Sequence, residues 1–327
     1  MDCSVYDINL NRVGVVNTWV SLVWEESYNS DAEFQLELQQ TEDVAALFLV
    51  DRYVRYSESD VLMIIKSVQI SGGTVVVAGY PATQILDDRV STAVISNQQA
   101  EPALRALFSE ADAWPRLELG ERAGLTDVFT AEKSDASLLE YFQIICQATD
   151  MGYRFRHDKA QRKLFLELYK PGENANARFS TLYGNLGEIT YSKSTASLKN
   201  VAVVAGSGEG ASRITVLAGD TESTGENRHE MYVDARNEQP EEGESDAEYK
   251  ARLVRYGEEK LVGQIQIETF DFEFSDETVA LGDIVTCNVP EIGVKLKARV
   301  VKKIFKSQQN VLIKSLEIGE PIILRRW

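Results

Sequence analysis

Residues Glu33-Phe34-Gln35-Leu36-Glu37-Leu38 alternate polar and apolar side chains, the period of a strand with one buried face. A second strand-like run covers Val61 to Ile70. Gly72-Gly73 then turns the chain into Thr74-Val75-Val76-Val77-Ala78, which predicts a hairpin. The first 85 or so residues therefore read mostly as β. After Arg89 the period lengthens. Pro102 suits the first turn of a helix, and Leu104, Leu107, Phe108 and Ala111 follow at helical spacing. A second helix is predicted to start near Ser134 as N-cap, with Asp135 in its first turn and Gly152 as its stop. Its apolar face holds Leu138, Phe142, Ile145, Cys146 and Thr149. Tyr153, Phe155 and His157 alternate, Asp158 to Gln161 turn the chain, and Leu164, Leu166 and Leu168 alternate back. This is a compact α+β unit, closed by Pro171-Gly172-Glu173-Asn174.

Strand patterns resume near Gly187. Ser245-Asp246-Ala247-Glu248 forms a capping box for a helix running to about Gly263, with Tyr249, Leu253 and Tyr256 on one face. The remainder is β. Ile265 and Ile267, then Phe270, Phe272 and Phe274, recur at period two, and the phenylalanines are expected in core or interface. Leu281-Gly282-Asp283-Ile284-Val285 is a turn entering a strand, and Val294 to Ile304 with Val311 to Ile318 make a final pair. Two β-rich blocks result, with the α+β unit after the first.

The run Val201 to Asp220 contains Gly206-Ser207-Gly208-Glu209-Gly210-Ala211, which matches G-x-G-x-x-A. A dinucleotide fingerprint needs strand, glycine turn and then helix, so that a helix N-terminus faces the pyrophosphate. Here Ile214, Val216 and Ala218 alternate with Arg213, Thr215 and Leu217, which favours a strand. Glu209 would oppose phosphate, and no Lys-Ser or Lys-Thr follows the glycines. A wide hairpin tip between Val201 and Leu217 is predicted, with glycines supplying positive φ.

Composition narrows the function classes. The chain of 327 residues has room for about two domains, and 44% hydrophobic content supports a packed core. No stretch approaches the roughly 20 unbroken apolar residues of a membrane span, and the N-terminus lacks the pattern of a secretory signal. Cys3, Cys146 and Cys287 lie far apart, which argues for small apolar fillers in a reducing compartment. A net charge of -17 opposes tight nucleic-acid binding, because phosphate contacts need Lys and Arg. Glu241, Glu242, Glu244, Asp246 and Glu248 crowd one stretch, read as a solvated helix entry. The basic run Lys295, Lys297, Arg299, Lys302, Lys303, Lys306 reads as a strand face. Lys295, Lys297 and Arg299 alternate with Val294, Leu296, Ala298 and Val300, and are expected to meet acidic surface on a neighbouring chain. His157 and His229 read as exposed or hydrogen-bonded, with no H-E-x-x-H and no G-x-S-x-G. No catalytic, cofactor-binding or metal-ligating residue is expected. A glycosidase carboxylate pair would be set in space and leaves no mark in the sequence.

Several segments together resemble one family. Trp24-Glu25-Glu26-Ser27-Tyr28 with Ala32-Glu33-Phe34 is similar to the opening of baseplate-hub or tail-associated (tail-tip) proteins of long-tailed phages, although Ala32 stands where members often have Gly. The similarity continues through Gln84-Ile85-Leu86-Asp87-Asp88-Arg89, Asn200 to Arg213, Arg228 to Arg236, and Leu281 to Val285. The resemblance, which extends to the trimeric hub protein of T-even phages, implies an α+β, mainly β fold. It comprises two hub-type β-barrels with an α+β insertion and a connecting helix. The corresponding segments are 1–89 for part of the first barrel and 90–172 for the insertion, then 173–243 for a β-rich return to the hub and 244–327 for the helix and second barrel.

The implied function is that of a structural virion component. A homotrimer would form a pseudo-six-fold ring joining the tail tube to three-fold tip proteins, assembled in the bacterial host cytoplasm. Expected partners are a tail tube or distal-tail protein, central-fibre or receptor-binding tip proteins and a tape-measure protein, with DNA only in transit and no stable membrane insertion. Some relatives add a C-terminal peptidase or lysin; this chain, ending at Leu324-Arg325-Arg326-Trp327, is expected to carry none. The alternatives are a tail-associated peptidoglycan hydrolase and a carbohydrate-binding tip module, for which Trp114, expected to be exposed, is the one hint.

Overall fold

The computed structural model describes residues 1–112, 114–241, 243–261, 264, 267–274, 279–308 and 311–326. They form two compact units, Met1–Thr190 with Phe270–Trp327, and Tyr191–Thr269. The chain is mainly β, with four α-helices among the described residues.

The first unit is built on a 13-stranded sheet. From the strand Arg12–Val16 at one end it runs through Cys3–Tyr6, Tyr53–Tyr56, Leu62–Ser71, Thr74–Pro81, Phe34–Gln39 and Ser21–Ser27. It continues through Val294–Gln308, Val311–Arg326, Ile267–Phe274 and Leu186–Ser194, while Ile284–Val289 also pairs with Val294–Gln308 and carries Glu173–Ser180. The two end strands do not pair, so among the described residues this sheet does not close into a barrel. The period-two segments behave as expected. Phe34, Leu36 and Leu38 are buried and contribute to one core with Trp24, Tyr56 and Phe305. The hairpin at Gly72-Gly73 forms, both glycines at positive φ.

The segment after Arg89 shares a core with the first strands, in which Leu104, Leu107, Phe142, Ile145 and Leu166 join Tyr6, Leu62, Ile64 and Leu86. Its first helix is Ala100–Glu110 and its second Leu138–Thr149. The second does not begin at Ser134. Ala136–Ser137 pairs with Val90–Ser91, so the chain stays extended until Ser137, whose side chain accepts from the Glu140 amide at 3.3 Å. Nor does Gly152 end this helix. Asp150 takes the left-handed cap at φ 55, and Gly152 opens the strand Gly152–Asp158, where a Cβ would lie 2.4 Å from the Tyr169 ring. That strand pairs antiparallel with Lys163–Tyr169, as its alternation predicts.

The second unit is a three-stranded sheet in the order Thr215–Gly219, Val201–Ala205, Glu230–Asp234, with the helix Asp246–Leu261 against it. The capping box forms: the Ser245 amide donates to Glu248 at 2.9 Å and the Glu248 amide to Ser245 Oγ at 3.4 Å. Tyr249, Leu253 and Gly257 are buried at four-residue spacing. Gly257 permits close approach, since a Cβ there would lie 2.5 Å from Val204. Tyr256 is half-buried. The expected helix end at Gly263, Ile265 and the side chains of Ile267, Phe270, Phe272 and Phe274 lie outside the described residues.

Candidate functional site

The glycine segment is a hairpin. Val201–Ala205 pairs antiparallel with Thr215–Gly219, Val203 opposite Leu217, and the glycines lead through a single 3-10 turn, Gly210–Ser212, into that strand and not into an α-helix that could face a phosphate. Gly208 and Gly210 adopt positive φ, 98° and 55°. Gly206 serves a different need: a Cβ there would meet the Tyr249 hydroxyl at 2.5 Å and Leu253 at 2.6 Å. Tyr249 Oη accepts from the Ser207 amide at 2.8 Å and donates to the Glu238 carbonyl, tying loop to helix. Arg213 folds back over the loop, donating to the carbonyls of Gly206 and Ala205 and pairing with Asp234 at 2.5 Å. That guanidinium is spent on the loop's own backbone.

Each residue of Trp24-Glu25-Glu26-Ser27-Tyr28 has a structural partner. Trp24 is fully buried between Phe34 and Tyr56. Glu25 pairs with Lys302 at 3.0 Å. Glu26 accepts from Ser59 Oγ, which in turn accepts from Trp24 Nε1 and the Val61 amide, both at 3.0 Å. Ser27 Oγ donates to the Ser30 carbonyl, and the Arg299 guanidinium lies over the Tyr28 ring at 5.3 Å. Glu26 is buried, and desolvation raises its pKa against the opposing influence of Lys303.

Above Glu26 opens a cleft of about 790 Å³ within the first unit. Its wall includes Tyr153, Tyr169 and Phe305, and its lining carries four carboxylates and four basic side chains. Lys314 pairs with Glu58 at 3.0 Å, Arg55 with Asp60 at 2.8 Å, and Lys303 donates to the Val279 carbonyl at 2.9 Å. Asn29, 5% exposed, donates through Nδ2 to the Met151 carbonyl at 2.6 Å, while its Oδ1 is buried with no partner among the described residues. The described residues contain no group of three or more His, Cys, Asp or Glu able to hold a metal.

Other residues singled out from the sequence take plainer places. Trp114 is half-buried, stacked 5.8 Å from Phe108 with the Arg89 guanidinium 4.7 Å over its ring, so it is no exposed platform. Lys297 and Arg299 find acids within their own chain, Glu173 and Asp150, each at 2.5 Å. In the acidic stretch, Glu244 pairs with Arg252 at 2.8 Å, which holds its pKa down to about 2. Cys3, Cys146 and Cys287 are free and buried. No helix among the described residues is long and apolar enough to cross a membrane.

His157 departs from expectation. Both ring nitrogens are buried without a hydrogen-bond partner among the described residues, and the ring meets Tyr6 edge-on at 4.9 Å. Burial, with Arg55 and Lys159 nearby, lowers its pKa from 6.5 to about 4. As pH falls through that window the unfolded chain takes up a proton that the folded chain refuses, so stability drops. With the ring half-buried, the expected loss is ~1–2 kcal/mol after allowing for solvent screening. Urea denaturation from pH 7 to 4 should show His157→Phe losing less stability than wild type; parallel pH profiles would refute the assignment.

Comparison with known proteins bears on the whole chain. Residues 2–319 match the family model described as Siphovirus ReqiPepy6 Gp37-like protein. A search of the curated proteins found no match. The fold is shared with the tail protein from Neisseria meningitidis MC58, at TM-score 0.60 and 12% identity, over 97% of this chain and 96% of that one. It is shared with the 43 kDa tail protein of prophage MuSo2 from Shewanella oneidensis, at TM-score 0.58 and 10% identity, over 97% and 98%. Prophage tail protein gp18 from Listeria monocytogenes EGD-e matches at TM-score 0.54 and 12% identity, over 98% and 94%. The resemblance to tail proteins of long-tailed phages, drawn from the residues, agrees with both family and fold. The chain belongs to the Siphovirus ReqiPepy6 Gp37-like family.

Proposed function

We propose that this chain is a structural phage or prophage tail protein and that it serves as the tail-tip hub. The observation that carries the reading is the fold shared from end to end with a bacterial tail protein, 97% of this chain against 96% of the other. In this reading three copies form a ring. The segment 1–89 and the segment 244–327 supply its barrel-like parts, 90–172 stands as the insertion, and 173–243 returns the chain to the hub. The ring joins a tail tube or distal-tail protein to tip proteins in the virion.

The surface supports assembly. Arg12–Val16 is an end strand of the large sheet, and it exposes Val13 (43%) and Val15 (46%), with Leu49 and Val50 also exposed. An uncovered apolar edge of this kind promotes association. A trimer ring is expected to bury well over ~2,000 Å². Light scattering at micromolar concentration should give about three times 36.6 kDa. A monomer, alone and with tube protein added, would overturn the ring. The assembled bore is expected to be negative or neutral, as a net charge of -17 suggests, so that DNA passes without adhering.

A further inference from the structure

We propose that the cleft above Glu26 is a binding site for a short, uncharged oligosaccharide. Three observations lead there. The first is size: about 790 Å³ lies within the range of small-ligand sites, and the cleft is formed by eight separate stretches of the first unit. The second is charge. The whole chain carries -17, yet the lining balances four acids with four bases. Glu58, Asp60 and Glu26 already answer to Lys314, Arg55 and Ser59, and Asp283 accepts from Asn174 at 3.0 Å and the Ala280 amide at 3.0 Å. No net charge remains to attract an ion of either sign, so the ligand is neutral. The third is the acceptor at Asn29. Nδ2 is fixed on the Met151 carbonyl, which sets the amide orientation and leaves Oδ1 of this lining residue without a donor among the described residues. A buried acceptor left unmatched is costly, and a ligand hydroxyl supplies the missing donor.

The walls fit the same class. Tyr153 and Tyr169 bring half-buried aromatic rings to the lining, the Tyr169 ring lying under the Arg154 guanidinium at 5.2 Å, while Thr83, Gln84 and Ser30 place hydroxyl and amide groups there. A peptide would need an open strand edge or apolar anchor pockets, whereas this floor is polar. The proposal stands apart from the ring, since every residue it uses comes from one chain.

The test uses the full chain and ligand-observed saturation-transfer NMR with maltotetraose, cellotetraose and chitotetraose as probes. At least one is expected to bind saturably with Kd near ~1 mM or tighter. Gly172 lines the cleft, its φ is not in the left-handed region, and a Cβ there meets nothing within 4 Å. Gly172→Trp should therefore fill the space and weaken binding at least about tenfold with an unchanged melting temperature. If Gly172→Trp lowers the melting temperature, Gln84→Ala gives a second reading and should weaken binding about threefold or more. Absence of binding for all three probes at ~10 mM would overturn the proposal. So would undiminished binding in both variants, which would place any sugar elsewhere.

Discussion

Trp24→Ala is expected to destabilise the chain by ~3–5 kcal/mol, the range for removing a large aromatic from a close-packed core. Trp24 is fully buried, with ring centroids 5.3 Å from Phe34 and 5.8 Å from Tyr56. The loss reaches further than the cavity. Trp24 Nε1 is one of two donors to Ser59 Oγ, and Ser59 donates onward to the buried Glu26. Without the indole, the serine and the carboxyl lose part of the network that compensates their burial. Trp24→Phe keeps most of the apolar volume and drops only the N–H, so ~1–2 kcal/mol is expected. Trp114→Ala, at a half-buried ring stacked on Phe108, should cost ~1 kcal/mol. Urea unfolding read by the first unit's transition checks the order. A loss below ~1 kcal/mol for Trp24→Ala would show that this tryptophan does not anchor the core.

That ordering explains what the family motif marks. Trp24-Glu25-Glu26-Ser27-Tyr28 sets two adjacent acids on the strand Ser21–Ser27. In three dimensions Glu25 and Glu26 face opposite sides, as strand neighbours must, and each is committed to a separate partner. The motif encodes a strand joint.

Local patterns were legible because their signals are local. Period two located Phe34–Gln39 and the hairpin of Gly152–Asp158 with Lys163–Tyr169, and the capping box located the start of Asp246–Leu261. The start of Leu138–Thr149 was misplaced because Ser134 and Ser137 are both competent caps. The choice was made by pairing with Val90–Ser91, some 45 residues earlier, which no local signal carries. Pairings of long range were equally invisible. Ser21–Ser27 lies beside Val294–Gln308, and that register places Trp24 opposite Phe305 and brings Lys302 to Glu25. For the same reason the sequence did not show that Lys297 and Arg299 are neutralised by Glu173 and Asp150. His157 sat on a readable alternating face, yet its environment is set by Tyr6 and by the absence, among the described residues, of a hydrogen-bond partner for its nitrogens. The cleft was not legible at all, being assembled from segments between residues 26 and 314. A hint existed only in Glu26, Asn29 and Ser59, polar residues whose burial could not be known beforehand.

Gly206→Val is expected to cost ~3 kcal/mol in the second unit, the upper part of the range for overpacking. Positive φ explains Gly208 and Gly210 and does not explain Gly206, whose backbone is open to any residue. The constraint there is the helix: a Cβ would intrude on Tyr249 Oη at 2.5 Å and Leu253 Cδ1 at 2.6 Å. Those two residues, with Gly257, form the buried stripe that seats Asp246–Leu261 on the sheet. A branched side chain must therefore lift the helix or break the Tyr249 bridge between the Ser207 amide and the Glu238 carbonyl. Gly210 gives the contrast. Its φ is 55° and a Cβ meets nothing within 4 Å, so Gly210→Asn, which tolerates that region, should change stability by less than ~0.5 kcal/mol. Coupling identifies the cause. In a Tyr249→Phe background the hydroxyl is gone, so Gly206→Ala should cost at least about 1 kcal/mol less than it does in wild type. Additive losses would mean that the glycine is held by something other than this contact. If Gly206→Val left stability unchanged but abolished saturable binding of ATP or NAD in calorimetry, the loop would be a nucleotide cradle after all. The hairpin geometry predicts the opposite result, a destabilised helix and no heat of nucleotide binding in any of the proteins.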